Sequence, residues 1–108
     1  MRTDSVLVVY SRNNVPIRLT AERWEHIAAR HPEMASQRDR VLETVGDPDL
    51  LQSGDREEVL AIRWYGQTPL TSKHLVVVYR EIDATDGFVL TAYLTSRPSQ
   101  RRTTPWKR

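Results

Sequence analysis

Not one of the 108 residues is a cysteine. That absence excludes a disulfide framework, thiolate metal ligands and a cysteine nucleophile. It also accords with a reducing compartment, so the cytoplasm is the expected location. No stretch approaches the roughly 20 continuous apolar residues that a membrane-spanning helix needs. The front end lacks the basic-then-apolar layout of a signal peptide, so neither export nor a membrane partner is expected. A glycine-rich phosphate loop, a serine, histidine and aspartate in nucleophile-elbow context, and paired carboxylates in an apolar run are missing as well. The chain implies no cofactor.

The length suits one domain, large enough to bury a core without staples. Its formal charge of +2 is unevenly spread. Arg97, Arg101, Arg102, Lys107 and Arg108 are five bases with no acid among the last twelve residues, which leaves eleven bases against fourteen acids before them. The expected division is therefore a single α+β domain over 1–96 and a basic, flexible tail over 97–108. Such a tail is either a solvated terminus or an RNA-binding one, with Arg101, Arg102 and Lys107 drawing phosphates and Trp106 stacking on a base.

Residues 5–11, Ser-Val-Leu-Val-Val-Tyr-Ser, predict a strand buried on both faces. Arg12-Asn13-Asn14 supply a turn, and Val15 to Leu19, interrupted by Pro16, an edge piece or connector. Thr20 is placed to cap a helix, with Glu22 in its first turn. Trp24, Ile27, Ala28 and His31 recur on one face of that helix, while Arg23, His26 and Arg30 cluster on another. Pro32 should end it at Arg30 or His31. A second helix is predicted from Met34 to Val45, with Val41, Leu42 and Val45 inward and Gly46 as its stop. Period-two patterning then takes over at Leu50–Gln52, Glu58–Tyr65, Lys73–Arg80 and Phe88–Thr95, joined by short turns into a four-stranded antiparallel meander.

Among candidate chemical groups, His26 and His31 stand out, because an unperturbed imidazole, with a pKa of about 6.5, exchanges protons at neutral pH. A histidine at a helix end can equally be a cap or a packing residue. His26, His31, Glu33 and His74 are conceivable metal ligands, but the five-residue histidine spacing departs from the i, i+4 pair that a helical zinc site uses, and no metal is expected. In the last strand Val89, Thr91, Tyr93 and Thr95 alternate with Phe88, Leu90, Ala92 and Leu94. This sets a row of hydroxyls opposite an apolar face; the row is either a phosphate-binding surface or an ordinary solvated one. Arg63 and Arg80 would add charge to it if their strands present them to the same side.

Trp24-Glu25-His26-Ile27, Arg30-His31-Pro32-Glu33-Met34, the Pro48-Asp49 step and Leu90-Thr91-Ala92-Tyr93, in that order over roughly residues 15–95, together resemble small phage- and bacterium-associated proteins of the barnase, EndoU, colicin and RelE group, the BECR nuclease fold. The resemblance implies helices ahead of a four-stranded antiparallel sheet and a metal-independent endoribonuclease, such as a toxin or phage-associated nuclease, silenced by an inhibitory partner protein. It implies that His26, His31, Thr91 and Tyr93 face one cleft, the histidines as base or acid and Thr91 and Tyr93 as hydrogen-bonding groups. Arg63, Lys73 or Arg80 would hold the phosphate. The alternatives are an inactive domain of the same fold that binds protein or nucleic acid, and a phage structural or regulatory protein.

Overall fold

The computed structural model describes residues 6–108. Thr20 begins the first helix as predicted, its hydroxyl accepting the Arg23 amide at 3.0 Å. Helix α1 runs Ala21–Arg30 and stops at His31. That residue sits ahead of Pro32 at φ −131° and ψ 78°, outside helical geometry, as the steric bulk of a following proline requires. The second helix starts later than predicted. Pro32–Met34 forms a single 3-10 turn that buries Met34, and α2 begins only at Arg38 and runs to Gly46. Gly46 is thus the last residue of the helix, and Asp47 is its C-cap. Val41, Thr44 and Val45 are its buried residues.

Among the described residues seven strands form one sheet. In chain order they are β1 Val6–Tyr10, β2 Pro16–Thr20, β3 Leu50–Ser53, β4 Val59–Trp64, β5 His74–Asp83, β6 Asp86–Thr95 and β7 Trp106–Lys107. Across the sheet the order is β1-β2-β6-β5-β4-β3-β7. β3 to β6 are successive antiparallel neighbours, as expected, but the sheet is wider than the four strands predicted. β2 adds to β6 in parallel through Ile17–Gly87 and Arg18–Phe88. Arg18 fastens that junction with two bonds to the Asp86 carboxylate, at 2.7 and 2.9 Å. A Cβ on Gly87 would lie 2.5 Å from the Arg80 carbonyl and 2.6 Å from Ile17, so only glycine lets these strands approach.

The first strand differs from its prediction. β1 is an edge strand whose Val6, Val8 and Tyr10 are exposed, so a continuous apolar run did not signal burial on both faces. Ser5, its predicted first residue, lies outside the described residues. The last segment differs too: rather than a free tail, residues 97–108 run back over the sheet and end in β7, paired with β3. Arg108 anchors it by bonding Asp47 and the Pro48 carbonyl.

The core lies between the helices and one face of the sheet. Ile17, Leu19, Leu75, Val77, Tyr79, Val89 and Ala92 pack there with Ile27, Met34, Val41 and Val45. α2 touches β1, β4 and β5. The sheet curls around it until Arg12, in the β1–β2 turn, lies 4.1 Å from the centre of the Trp106 ring on the opposite edge strand. Leu60, Ile62, Val76 and Val78 form a smaller cluster on the other face, which carries no α-helix among the described residues and is called the open face below.

Candidate functional site

β6 places the candidate groups. Its pairing with β5 slips by one residue, so that Val78 faces Thr91 while Tyr79 faces Val89, and Leu90 is the extra residue of a bulge. Val89 therefore joins Ala92 in the helix-side core, and Leu90 joins Tyr93 against the open-face cluster. Strict alternation had assigned Val89 and Leu90 the other way round. Downstream of the bulge the prediction holds: Thr91, Tyr93 and Thr95 stand opposite Val78, Val76 and His74 and share the open face.

Among the described residues the stretch of β6 after Phe88 has no strand on its outer side, because β2 pairs with it only at Gly87 and Phe88. α1 and the 3-10 turn lie along that edge. Arg23 donates to the Leu90 carbonyl at 3.4 Å, and the His31 ring sits 6.0 Å from the Tyr93 ring, tilted by 36°. His31 is held in place by its own backbone. Its amide donates to the Ile27 carbonyl and its carbonyl accepts the Met34 amide, each at 2.8 Å, so the end of one helix and the start of the next turn fix the same residue. Glu33 approaches His31 Nδ1 at 3.8 Å, which supplies charge at close range without a hydrogen bond.

His26 is exposed on α1, three residues beyond Arg23. Of the two histidines, it is His31 that the structure sets against Tyr93. Among the described residues His26, His31, Glu33 and His74 do not gather into a metal-ligand cluster. His74 Nδ1 instead lies 3.1 Å from the Ser96 carbonyl.

The three bases expected to hold phosphate do not come together. Arg63 is on the helix side, bonded to the Asp47 carboxylate and carbonyl at 2.8 and 2.6 Å, with Tyr65 beneath it. Lys73 lines a different depression of about 540 Å³ with Arg40, Gln37 and Gln67. Arg80 is on the open face opposite Phe88, at the far end from Thr95, and donates to the Arg56 carbonyl at 2.9 Å. Alternation along β4 and β5 sent Arg63 and Arg80 to opposite faces, and Lys73 lies in the connection between the two strands.

The cations that border Tyr93 come from the segment expected to be free. Arg97 and Arg102, with Pro98 and Ser99, wall a cavity of about 180 Å³ whose remaining lining includes Gln52, Leu60, Ile62, Val76, Tyr93 and Thr95. Arg102 is steadied by Asp55 at 3.5 Å and by the Ser53 carbonyl at 3.3 Å. Arg101 and Lys107 remain exposed outside this lining. Trp106 packs against the core beneath Arg12, so its ring is not free to stack on a base. The sequence did hold a signal for Arg97: it follows the hydroxyl-bearing strand by two residues, and Thr95 bonds its carbonyl at 3.2 Å.

Fold and site together define an α+β protein with an open sheet face, on which Tyr93, Thr95, Arg97 and Arg102 line a small concavity and His31 stands 6.0 Å from Tyr93. No protein-family model, curated protein or solved structure matches the chain. Among the described residues no helix is long and apolar enough to cross a membrane.

Proposed function

We propose that the open face is the active site of a metal-independent endoribonuclease with a BECR-like arrangement of its helices and meander. The observation that carries this is the meeting of His31 and Tyr93, 6.0 Å apart, on the strand edge from which Thr91 and Thr95 face the same side. Cleavage needs a base to take the 2′-hydroxyl proton while the 2′-oxygen bonds to phosphorus. It also needs an acid to protonate the 5′-oxygen as its bond to phosphorus breaks, leaving a 2′,3′-cyclic phosphate and a 5′-hydroxyl. His31, beside Tyr93, is one proton carrier, and His26, exposed on α1, is assigned as the other. Tyr93 and Thr91 hydroxyls donate to the non-bridging oxygens, and Arg97 with Arg102 offsets the charge that builds up on the phosphate.

The test is cleavage of single-stranded and structured RNA in the presence of a chelator. His31→Ala should lower the rate by roughly 10²- to 10⁴-fold, as loss of a general acid or base does. Tyr93→Phe should lower it by about tenfold or more. Full activity in both variants, or an intact RNA under every condition, would overturn the reading. A competing one, a binding domain of the same fold, is favoured by the dispersal of Arg63, Lys73 and Arg80 away from Tyr93. It requires salt-sensitive RNA retention with the RNA left whole. The resemblance alone carries a toxin role with an inhibitory protein partner.

A further inference from the structure

We propose that β1 is the contact between two copies of this chain, which pair antiparallel, edge to edge about Val8, and join their sheets into one. The proposal is independent of the nuclease reading.

β1 carries none of the devices that keep a sheet edge from pairing. Val6-Leu7-Val8-Val9-Tyr10 has no charge, no proline and no bulge in its register with β2. Among the described residues no strand lies on its outer side. The other edges differ. β7 is two residues long, follows Pro105 and contains Lys107, and the outer side of β6 beyond Phe88 is covered by α1 and the 3-10 turn. Pairing with β2 fixes which backbone groups β1 leaves open. The Ser11 amide donates to the Val15 carbonyl at 2.9 Å, so Ser11 points toward β2. Alternation back along the register turns Val9 and Leu7 the same way, and Tyr10, Val8 and Val6 outward. Pro16, which has no N–H to give, accordingly stands opposite outward-turned Tyr10. The same three residues have exposed side chains, at 49 % for Val6, 50 % for Val8 and 57 % for Tyr10. Leu7 and Val9 turn to the helices: Leu7 lines a depression with Leu19 and Trp24, and Val9 packs on the core.

The spacing of these residues names the occupant. Val6, Val8 and Tyr10 each present a donor and an acceptor at every second position, so the matching ligand is an extended strand. An antiparallel copy of β1 fits in one register: Val8 meets Val8 of the second copy on a twofold axis, and Val6 meets Tyr10 at both ends. There Val6, Val8 and Tyr10 all exchange both backbone bonds with their opposites, whereas a shift of two residues in either direction leaves one of them unmatched. The side chains agree with that register, because valine beside valine and valine beside tyrosine are favoured cross-strand pairs. No like charges meet in it, since the strand has none. Pairing about such an axis keeps both open faces on one side of the joined sheet. Each copy supplies one unguarded edge and the guarded β7 lies at both outer ends, so the assembly closes at two copies and does not grow into a fibre.

The test is sedimentation equilibrium of the full chain over a range of concentrations, beside cysteine cross-linking. The parent should reach twice the 12.5 kDa of one chain. Val8→Lys, at an exposed position, should hold the protein monomeric with its cooperative melting transition retained, weakening the pairing by roughly a hundredfold or more because two ammonium groups then face each other. Val8→Cys keeps the strand uncharged and reads the register directly, since the parent has no thiol. Opposite residues of a hydrogen-bonded antiparallel pair have Cα atoms about 5.5 Å apart, within disulfide reach, so mild oxidation should join two Val8→Cys chains. Val6→Cys should not cross-link, because its two copies stand at opposite ends of the pairing. Should Val8→Lys fail to fold, the two cysteine variants decide alone. A monomer at every concentration would overturn the proposal and leave the edge to a strand of another protein. A dimer that survives Val8→Lys, a larger assembly, a failure of Val8→Cys to cross-link, or equal cross-linking by Val6→Cys would overturn it as well.

Discussion

Tyr79 lies fully buried in the helix-side core, and its hydroxyl meets no partner among the described residues. Burial, with the nearby Glu81 charge, pushes its phenol pKa up, so the group stays protonated and keeps a polar atom in apolar surroundings. Removing that atom should help: Tyr79→Phe is expected to stabilise the protein by about 1 kcal/mol, raising the melting temperature by roughly 4–8 °C in a calorimetric scan. A lower melting temperature would show that the hydroxyl has a partner. At this scale the sequence was readable where a residue acts on its own neighbours and unreadable where it acts through pairing. Thr20 and Pro32 set the ends of α1 by local geometry, and both were legible. Leu90 was not, because a bulge depends on how β5 aligns with β6, and period two carries no mark of one inserted residue. For the same reason the row Thr91, Tyr93 and Thr95 was found while Val89 was put on the wrong side of it.

Among the elements, β7 changes the meaning of the basic end of the chain. Charge runs at a terminus read as solvated because nothing in their composition reveals a docking partner. Here the partners are distant in sequence: Asp47, Asp49 and Asp55 take up Arg108 and Arg102, and Leu51 pairs with Trp106. Trp106→Ala should therefore act as a packing mutation, costing roughly 2–3 kcal/mol for a half-buried indole, read as a lower urea midpoint. A free tail would leave the midpoint unchanged. The order of strands in the meander was legible because its turns are short and its alternation is plain. β1 was misjudged in burial because an apolar run looks the same on an edge as in the middle of a sheet.

For the molecule as a whole, acid should loosen the closure between the last strand and the end of α2. Hydrogen bonds from Arg63 first and Arg108 next hold the Asp47 carboxyl below its ordinary pKa. Its folded value is thus lower than its unfolded value, so its contribution is complete above the usual carboxylate range, near pH 4, and is lost as the pH falls through the folded value. Asp86, held down by Arg18, acts in the same direction at the β2–β6 junction. The urea midpoint of the parent should drop below about pH 4, and Asp47→Asn should show a shallower drop from a lower starting point. Parallel curves for the two proteins would remove Asp47 from this role.

The parallel junction of β2 with β6 also sets an order of events when the chain first acquires its shape. Arg18 and Asp86 are 68 positions apart, and closing so long a loop before any contact rewards it is slow. The hairpins of the meander form from near neighbours, and the β1–β2 hairpin, though local itself, docks on the sheet only once β6 exists. Renaturation should accordingly show the meander protected from hydrogen exchange ahead of Val6–Thr20, with the clasp between Arg18 and Asp86 closing last.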